Sequence, residues 1–504
     1  MALGACAGPI ALNKDYELRM DAKCVRFNPA MDADLRRLGE EITHALKSAN
    51  DESKHDRRGL EEIQRLAAKA LGNPSDPRRD GWLEDMLEAA CAVNNNYRPT
   101  IPPHFDAFMI PVFLQQLHRP IGVGEKPAAD LKAGGEGDLS KRDPVDSTFW
   151  RRPANIAAEN LDVGFDREER PRIEDKVCRY WGPKETAGMN PGFEVDCEGD
   201  RVKLKFGEVS SEPFAARLFW ALGFHADATD YSPGVKVAYD RRIFTEFNSR
   251  KAVKTTFTAL WFIPVYTMNL QPTKDPFDYI ATATLRDGGT WSGRELKGRL
   301  MNGTNFAPEA EAQIAWLTTV PANVQVRDPD VKSIGPWDYG QLDHADRREL
   351  RGAGLLAAWI GFYDTRFDNT KLRLAGPKKN PRLEHYFSDL GGGLGRTSGF
   401  LSWHGEDVAK FPWTFTAPPL DQGKGKLARP LRIVGYTPVA PTPAFAAMTI
   451  DDARWMARQI AQLTTHQIVQ ALTASGYDAT TVKLYTEKLI SRREKMLRDL
   501  GLGP

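Results

Sequence analysis

Apolar positions along the chain switch between helical and strand spacing, and the switches divide it into segments. In ADLRRLGEEITHALKSA (33–49), Leu35, Leu38, Ile42 and Leu46 form one stripe at helical spacing. GLEEIQRLAAKAL (59–71) repeats the pattern and is stopped by Gly72-Asn73-Pro74, and WLEDMLEAACAV (82–93) predicts a third helix before three asparagines. These stripes read as core packing. Residues 119–148 have neither period; Pro120, Gly122, Gly124 and LKAGGEGDLSKRDP describe a linker. After Trp150 come strand-like runs: FEVDC (193–197), VKLKFG (202–207), TALWFIPVYTMNL (258–270) and YIATATL (279–285). Among them SEPFAARLFWALGF (211–224) reads as a helix, with Ser211 as N-cap, Pro213 in the first turn and Gly223 at the end. From about 308 the spacing predicts helices again: PEAEAQIAWLTTV (308–320), HADRRELRGAGLLAAWIGFYD (344–364), TIDDARWMARQIAQLT (449–464) and TTVKLYTEKLISRREKMLRDL (480–500).

The expected fold class is therefore α+β. An N-terminal segment (1–11) precedes a helical region (12–118) and a linker (119–148). A strand-rich segment (149–290) and a segment that ends in C-terminal helices (291–504) follow. Hydrophobic residues at 41% and charged residues at 27% are a globular composition rather than a disordered one. A net charge of +1, from 68 basic and 67 acidic side chains, argues against a dedicated nucleic-acid binder, which carries a basic excess. No run approaches the ~18–20 apolar residues that span a bilayer.

Leu3-Gly4-Ala5-Cys6 has the shape of a bacterial lipobox without the apolar segment that precedes one. Either Cys6 is a lipidated residue that meets a membrane surface, or the match is chance. The other four cysteines are Cys24, Cys91, Cys178 and Cys197. If the stretch around Gly188 is a hairpin, Cys178 and Cys197 sit opposite each other and bridge in an oxidising compartment; the alternative is free buried thiols. No Cys/His cluster has zinc spacing.

Candidate chemistry concentrates between Tyr363 and Gly395. YDTRFDNTKL (363–372) carries Asp364, Arg366 two residues on and Asn369 five residues on; HYFSDLGGGLG (385–395) then carries Asp389-Leu390-Gly391. A carboxylate, a cation, an amide oxygen and a second carboxylate in this order resemble the D-x-K-x-x-N and D-x-G parts of a protein-kinase site. Asp364 is the candidate base, Arg366 the charge near the γ-phosphate, and Asn369 and Asp389 the candidate metal ligands. Asp368 is a further loop carboxylate. Upstream, Gly188 and Gly192 in ETAGMNPGFEV (185–195) stand at the expected hairpin tip, where backbone N–H groups approach phosphate oxygens. Lys203 and Lys205 share a strand face, and Glu212 in the next helix, or Glu208, is the expected partner of the lysine. His404 to Asp407 and the tryptophans Trp291, Trp337 and Trp403 read as surface cluster and packing residues, with acceptor recognition as the alternative.

From about Trp150 onward, the chain resembles a bacterial family of protein-kinase-like proteins. The resemblance rests on PGFEVDCEGDRVKLKFGE (191–208), SEPFAARLFWALG (211–223), GPWDY (335–339), LLAAW (355–359), the Asp364–Asn369 spacing and HYFSDLGGGLG. At greater distance it is similar to HipA-type and secretory-pathway kinases. The resemblance implies a two-lobed kinase-like fold: small lobe 149–290, large lobe 291–504, with the N-terminal helices outside it. It also implies ATP and Mg²⁺ or Mn²⁺ as cofactors. Lys205 would contact phosphate, Glu212 would hold the lysine, Asp364 would be the base, and Asn369 and Asp389 would bind metal. Phe362-Tyr363 stands where such kinases carry His-Arg, the glycine loop is short, and Arg366 replaces a lysine. The implied activity is transfer of the γ-phosphate to a hydroxyl on a protein or small molecule. The rivals are a non-catalytic pseudokinase acting as an envelope lipoprotein, and an AMP transferase on the same fold. The bacterial cell envelope is the expected location, and the cytoplasm is its alternative.

Overall fold

The computed structural model describes most of residues 143–503, residues 54–79 and scattered positions between 32 and 86; the longer gaps after 143 are 166–172, 185–189, 248–253, 259–263, 270–274, 327–331, 376–381, 396–405 and 417–432. The fold is α+β and contains a large mixed sheet. The chain divides into two compact units, one of Asp166–Pro213 with Ala228–Arg327, the other of the remaining residues.

The first unit is built on a nine-stranded sheet. Its strands are β1 (Val177–Pro183), β2 (Gly192–Cys197), β3 (Asp200–Lys205), β4 (Thr229–Ser232) and β5 (Lys236–Ala238). A separate two-stranded ribbon follows, β6 (Lys254–Thr258) with β7 (Pro264–Asn269). The sheet resumes with β8 (Ile280–Leu285) and β9 (Thr290–Ser292); β10 (Met301–Asn302) and β11 (Asn305–Phe306) form a small hairpin, and β12 (Ile314–Thr319) and β13 (Ala322–Val326) complete the sheet. The order is β4-β13-β3-β2-β1-β5-β12-β8-β9. Pairing is antiparallel except where β1 runs parallel to β5. Alternating side chains of these strands, Phe193, Val195, Val202, Leu204, Val237, Ala283, Leu317 and Val324, form its core.

Two expectations are corrected in this unit. The helix expected over 308–320 is only the short Pro308–Gln313, after which the chain becomes β12. Ile314, Leu317 and Thr319 are buried there, because β12 is an interior strand between β5 and β8. Paired neighbours on both sides outweigh the helical spacing of a short apolar run. The unit also continues past residue 290 to Arg327, because β12 and β13 are hydrogen-bonded into the same sheet.

Cys178 on β1 and Cys197 on β2 form a disulfide. The antiparallel register Arg179↔Asp196 and Tyr180↔Val195 places them opposite each other, both fully buried in the core.

The second unit is mainly helical. Among the described residues its longer helices, in chain order, are α1 (Lys54–Gly72), most of α2 (Ser211–Ala221), α3 (Arg348–Ile360), α4 (Ile450–Ala461), α5 (Thr465–Ala474) and α6 (Ala479–Asp499). Its sheet has three antiparallel strands, β14 (Lys332–Gly335), β15 (Thr370–Ala375) and β16 (Arg382–Phe387). Every residue of α3 is buried. Capping boxes start α4 at Thr449 and α5 at Thr464, and Asp478 caps α6 through the N–H groups of Thr480 and Thr481. Asp452 has two tasks: it closes the α4 capping box, and it accepts two hydrogen bonds from the Arg351 guanidinium, 2.7 and 3.0 Å. That pairing compensates a fully buried carboxylate and ties α3 to α4.

Of the N-terminal region, α1 agrees with the expected helix, and Leu35 and Ile42 are buried positions in helical conformation. Cys6, Cys24, Cys91, the linker to residue 142, Gly188, Asp368, Trp403 and His404 lie outside the described residues. Trp291 and Trp337 are buried, in agreement with packing roles. No helix among the described residues is long and apolar enough to cross a membrane.

Candidate functional site

The large candidate group, in the helical unit, is assembled by backbone hydrogen bonds. Helix α3 ends at Gly361, whose left-handed φ of 68° is open to glycine without a Cβ clash. Phe362 then turns inward, buried and edge-on to Phe219. The next residues are stitched to the glycine-rich stretch: Tyr363 N–H donates to the Gly392 carbonyl at 2.9 Å, and Leu394 N–H to the Ile360 carbonyl at 2.9 Å. A Cβ added at Gly392 would stand 3.0 Å from the Asp364 Cβ, so the two segments run in contact.

Asp364 accepts a two-pronged contact from Arg366, Nε to Oδ1 at 2.7 Å and Nη2 to Oδ2 at 3.1 Å. Arg366 is about half exposed and Asp364 less so. Asn369 closes the loop: its N–H donates to the Arg366 carbonyl at 3.0 Å and its Nδ2 to the Asp364 carbonyl at 2.8 Å. Strand β15 starts at the next residue and returns as β16 with Thr370 opposite Phe387. Ser388 N–H then donates to the Asn369 carbonyl at 2.9 Å. Asn369 and Asp389 are thus brought together at the open end of one hairpin. Asp389 adopts φ 53°, a left-handed conformation that costs energy for a residue with a side chain.

Groups distant in sequence hold this loop pair. Tyr436 Oη donates to the Phe362 carbonyl at 2.7 Å and Tyr485 Oη to the Leu394 carbonyl at 2.9 Å. Arg492, buried on α6, donates to the Trp359 and Ala358 carbonyls at 2.8 and 2.6 Å, capping the end of α3, and to the Pro412 carbonyl at 3.1 Å. Asp227 is 3% exposed and pairs with Lys371, Arg373 and Ser388. Burial alone would raise its pKa, but the charges of Arg373 and Lys371 and the hydrogen bonds of Lys371 and Ser388 hold it far below the usual carboxylate range.

None of these supporting residues was expected from the sequence. Tyr485, Lys488 and Arg492 recur at helical spacing on α6 and look like a solvated face; Lys488 in fact donates to the Phe411 carbonyl at 2.7 Å from a buried position. Lys371 and Arg373 alternate on β15, which is the one available signal that a buried carboxylate faces them.

The small candidate group lies in the sheet unit. Lys205, the last residue of β3, is 4% exposed. Its Nζ donates to Glu212 Oε2 at 2.7 Å and to Glu208 Oε2 at 3.0 Å, so both carboxylates proposed as partners bind it. Lys203 shares the strand but is less buried. Glu208 has φ 54° and also accepts from Asn190 Nδ2 at 2.8 Å. Gly192 is the first residue of β2, opposite Lys205, rather than a residue of the hairpin tip. A Cβ there would meet the Leu204 carbonyl at 2.0 Å, so close strand approach demands glycine at this position.

Each unit supplies its own set of groups. One is a lysine clamped by two carboxylates. The other combines a carboxylate–guanidinium pair with an amide and a carboxylate at a hairpin mouth. The hard oxygen donors Asn369 Oδ1 and the Asp389 carboxylate suit Mg²⁺ or Mn²⁺ rather than a softer metal. Comparisons with protein-family models, with curated proteins and with solved structures return no match.

Proposed function

We propose that this chain is an ATP-dependent phosphotransferase of protein-kinase-like, two-lobed fold that transfers the γ-phosphate to a hydroxyl group. The observation that carries the reading is the pair of hydrogen bonds from Asn369 Nδ2 to the Asp364 carbonyl and from Ser388 N–H to the Asn369 carbonyl. They bring Asp364, Asn369 and the residue before Asp389 to one hairpin mouth. The buried Lys205–Glu212 pair supports it, because a lysine kept charged away from water is costly unless its partners are retained.

In this reading Asp364 orients the acceptor hydroxyl and takes its proton as the acceptor oxygen bonds to the γ-phosphorus and the bond to ADP breaks. Arg366 supplies positive charge beside the transferring group, and its two hydrogen bonds orient the Asp364 carboxylate. Lys205, steadied by Glu212 and Glu208, holds the ATP phosphates. Mg²⁺ or Mn²⁺, held by Asn369 and Asp389, would neutralise charge on the phosphate oxygens.

A second reading is a binding module of the cell envelope, anchored to lipid through Cys6. The Cys178–Cys197 bridge favours it, since such bridges persist in oxidising compartments, where ATP is scarce. Purified protein with Mg²⁺ or Mn²⁺ and ATP labelled at either the γ- or the α-phosphate separates the readings. Label from γ alone, lost in Asp389→Ala, is the expected result. Label from α would assign AMP transfer; no label and no ATP-dependent rise in melting temperature would leave the binding module. Acyl chains found by mass on the mature protein would assign the membrane surface.

A further inference from the structure

Asp227 makes contacts that its position in the chain does not suggest. It follows α2 and lies 161 residues before Ser388, yet its Oδ2 accepts the Ser388 hydroxyl and, at 2.8 Å, Lys371 Nζ. Its Oδ1 pairs with Arg373. Its own N–H donates to the Phe387 carbonyl at 3.2 Å, while Phe387 N–H donates to the His225 carbonyl at 2.9 Å. Residues 225–227 therefore lie along the end of β16 as a short parallel partner. Ser388 is held twice: its N–H by Asn369 and its hydroxyl by Asp227. The next residue is Asp389, in the left-handed conformation.

A carboxylate in that conformation keeps one orientation only if the peptide before it is fixed, since residues with a side chain otherwise relax out of this region. The contacts of Asp227 supply that fixation from a different part of the chain. We propose that Asp227 is a positioning residue: through the Ser388 hydroxyl and the Phe387 carbonyl it sets the orientation of Asp389, and through Ser388 N–H the register of Asn369. The ordering of the 387–395 stretch follows from the contacts themselves. Its consequence for a divalent cation rests on the phosphotransferase reading.

The test uses the full chain with Ser388→Ala, which removes the hydroxyl link alone, Ser388→Thr, which keeps a hydroxyl, and Asp227→Asn. Two quantities are read: amide hydrogen exchange of the 384–395 segment, and affinity for Mn²⁺ alone by electron paramagnetic resonance. Ser388→Ala is expected to speed exchange in 387–395 while α4, α5 and α6 exchange as before, and to weaken Mn²⁺ binding by about 10- to 100-fold, the usual effect of removing a group that orients a ligand. Ser388→Thr should recover most of both. If Asp227→Asn does not fold, Ser388→Ala carries the test. Unchanged exchange in Ser388→Ala overturns the proposal, and so does Mn²⁺ binding equal to that of the parent protein. If the parent protein binds no Mn²⁺ but Ser388→Ala still loosens 387–395, the positioning role stands and the metal-site reading fails.

Discussion

Lys205 Nζ lies 2.7 Å from Glu212 Oε2, with both side chains only 6% exposed, and Glu208 stands 3.0 Å from the same nitrogen. The lysine therefore has a main partner at the start of α2 and a reserve partner in the turn before it. Lys205→Met leaves two carboxylates facing each other with no cation from this residue, and should cost about 3–5 kcal/mol. Glu212→Gln leaves Glu208 to neutralise the lysine and should cost about 1–2 kcal/mol. Urea unfolding of both variants checks this. Equal losses would mean that Glu208 does not share the charge.

Asp389 offers a way to separate function from strain. At φ 53° an alanine keeps the backbone penalty, whereas a glycine removes it. Asp389→Gly should be about 1 kcal/mol more stable than Asp389→Ala. Both should lose γ-phosphate transfer by roughly two to three orders of magnitude. A glycine variant that retains transfer would remove Asp389 from the site.

The Cys178–Cys197 bridge closes a segment with a separation of 19 residues. On loop-closure grounds it should contribute about 3 kcal/mol. Peptide mapping without reductant should recover the two cysteines as one linked pair, and Cys178→Ser with Cys197→Ser should lower the unfolding midpoint. Alkylation of both thiols in unreduced protein would refute the bridge.

Arg492 caps α3 and the 412–414 strand of loop with one guanidinium, through the carbonyls of Ala358, Trp359, Pro412 and Thr414. Arg492→Met leaves these carbonyls without that donor and should cost about 2–4 kcal/mol. Thermal unfolding measures it; a loss no larger than that of an exposed arginine such as Arg498 would show that the carbonyls find other donors.

Acid should act through Asp227. Its folded pKa lies well below the ordinary 3.8, so its stabilisation is complete above that value and is lost as pH falls further toward the folded pKa. Asp227→Asn leaves Lys371 and Arg373 without their shared anion and should cost about 3–5 kcal/mol at pH 7. The gap between variant and parent should narrow once pH drops below about 4. A gap that stays constant down to pH 2.5 would show that the charge of Asp227 is not what the variant loses.

The sequence alone determined features that depend on near neighbours. Helices α4 and α6 were legible from their apolar spacing, because the helical period is set by neighbours within a turn or two. The stretch from Asp364 to Asn369, then two strands, then Asp389 was legible because hairpin order follows chain order. Opposed cysteines followed from a turn between them, although whether they bridge did not. The tertiary structure decided everything that depends on what lies across space. It made β12 a strand by giving Ile314–Thr319 a neighbour on each side. It buried Tyr485, Lys488 and Arg492, whose polar ends look solvated until the loops of α3 and β16 supply carbonyls to receive them. It also brought Asp227 to Ser388 across 161 residues. No local pattern encodes such contacts. A buried charge is tolerated only where distant partners converge on it, and that convergence exists only in the folded chain.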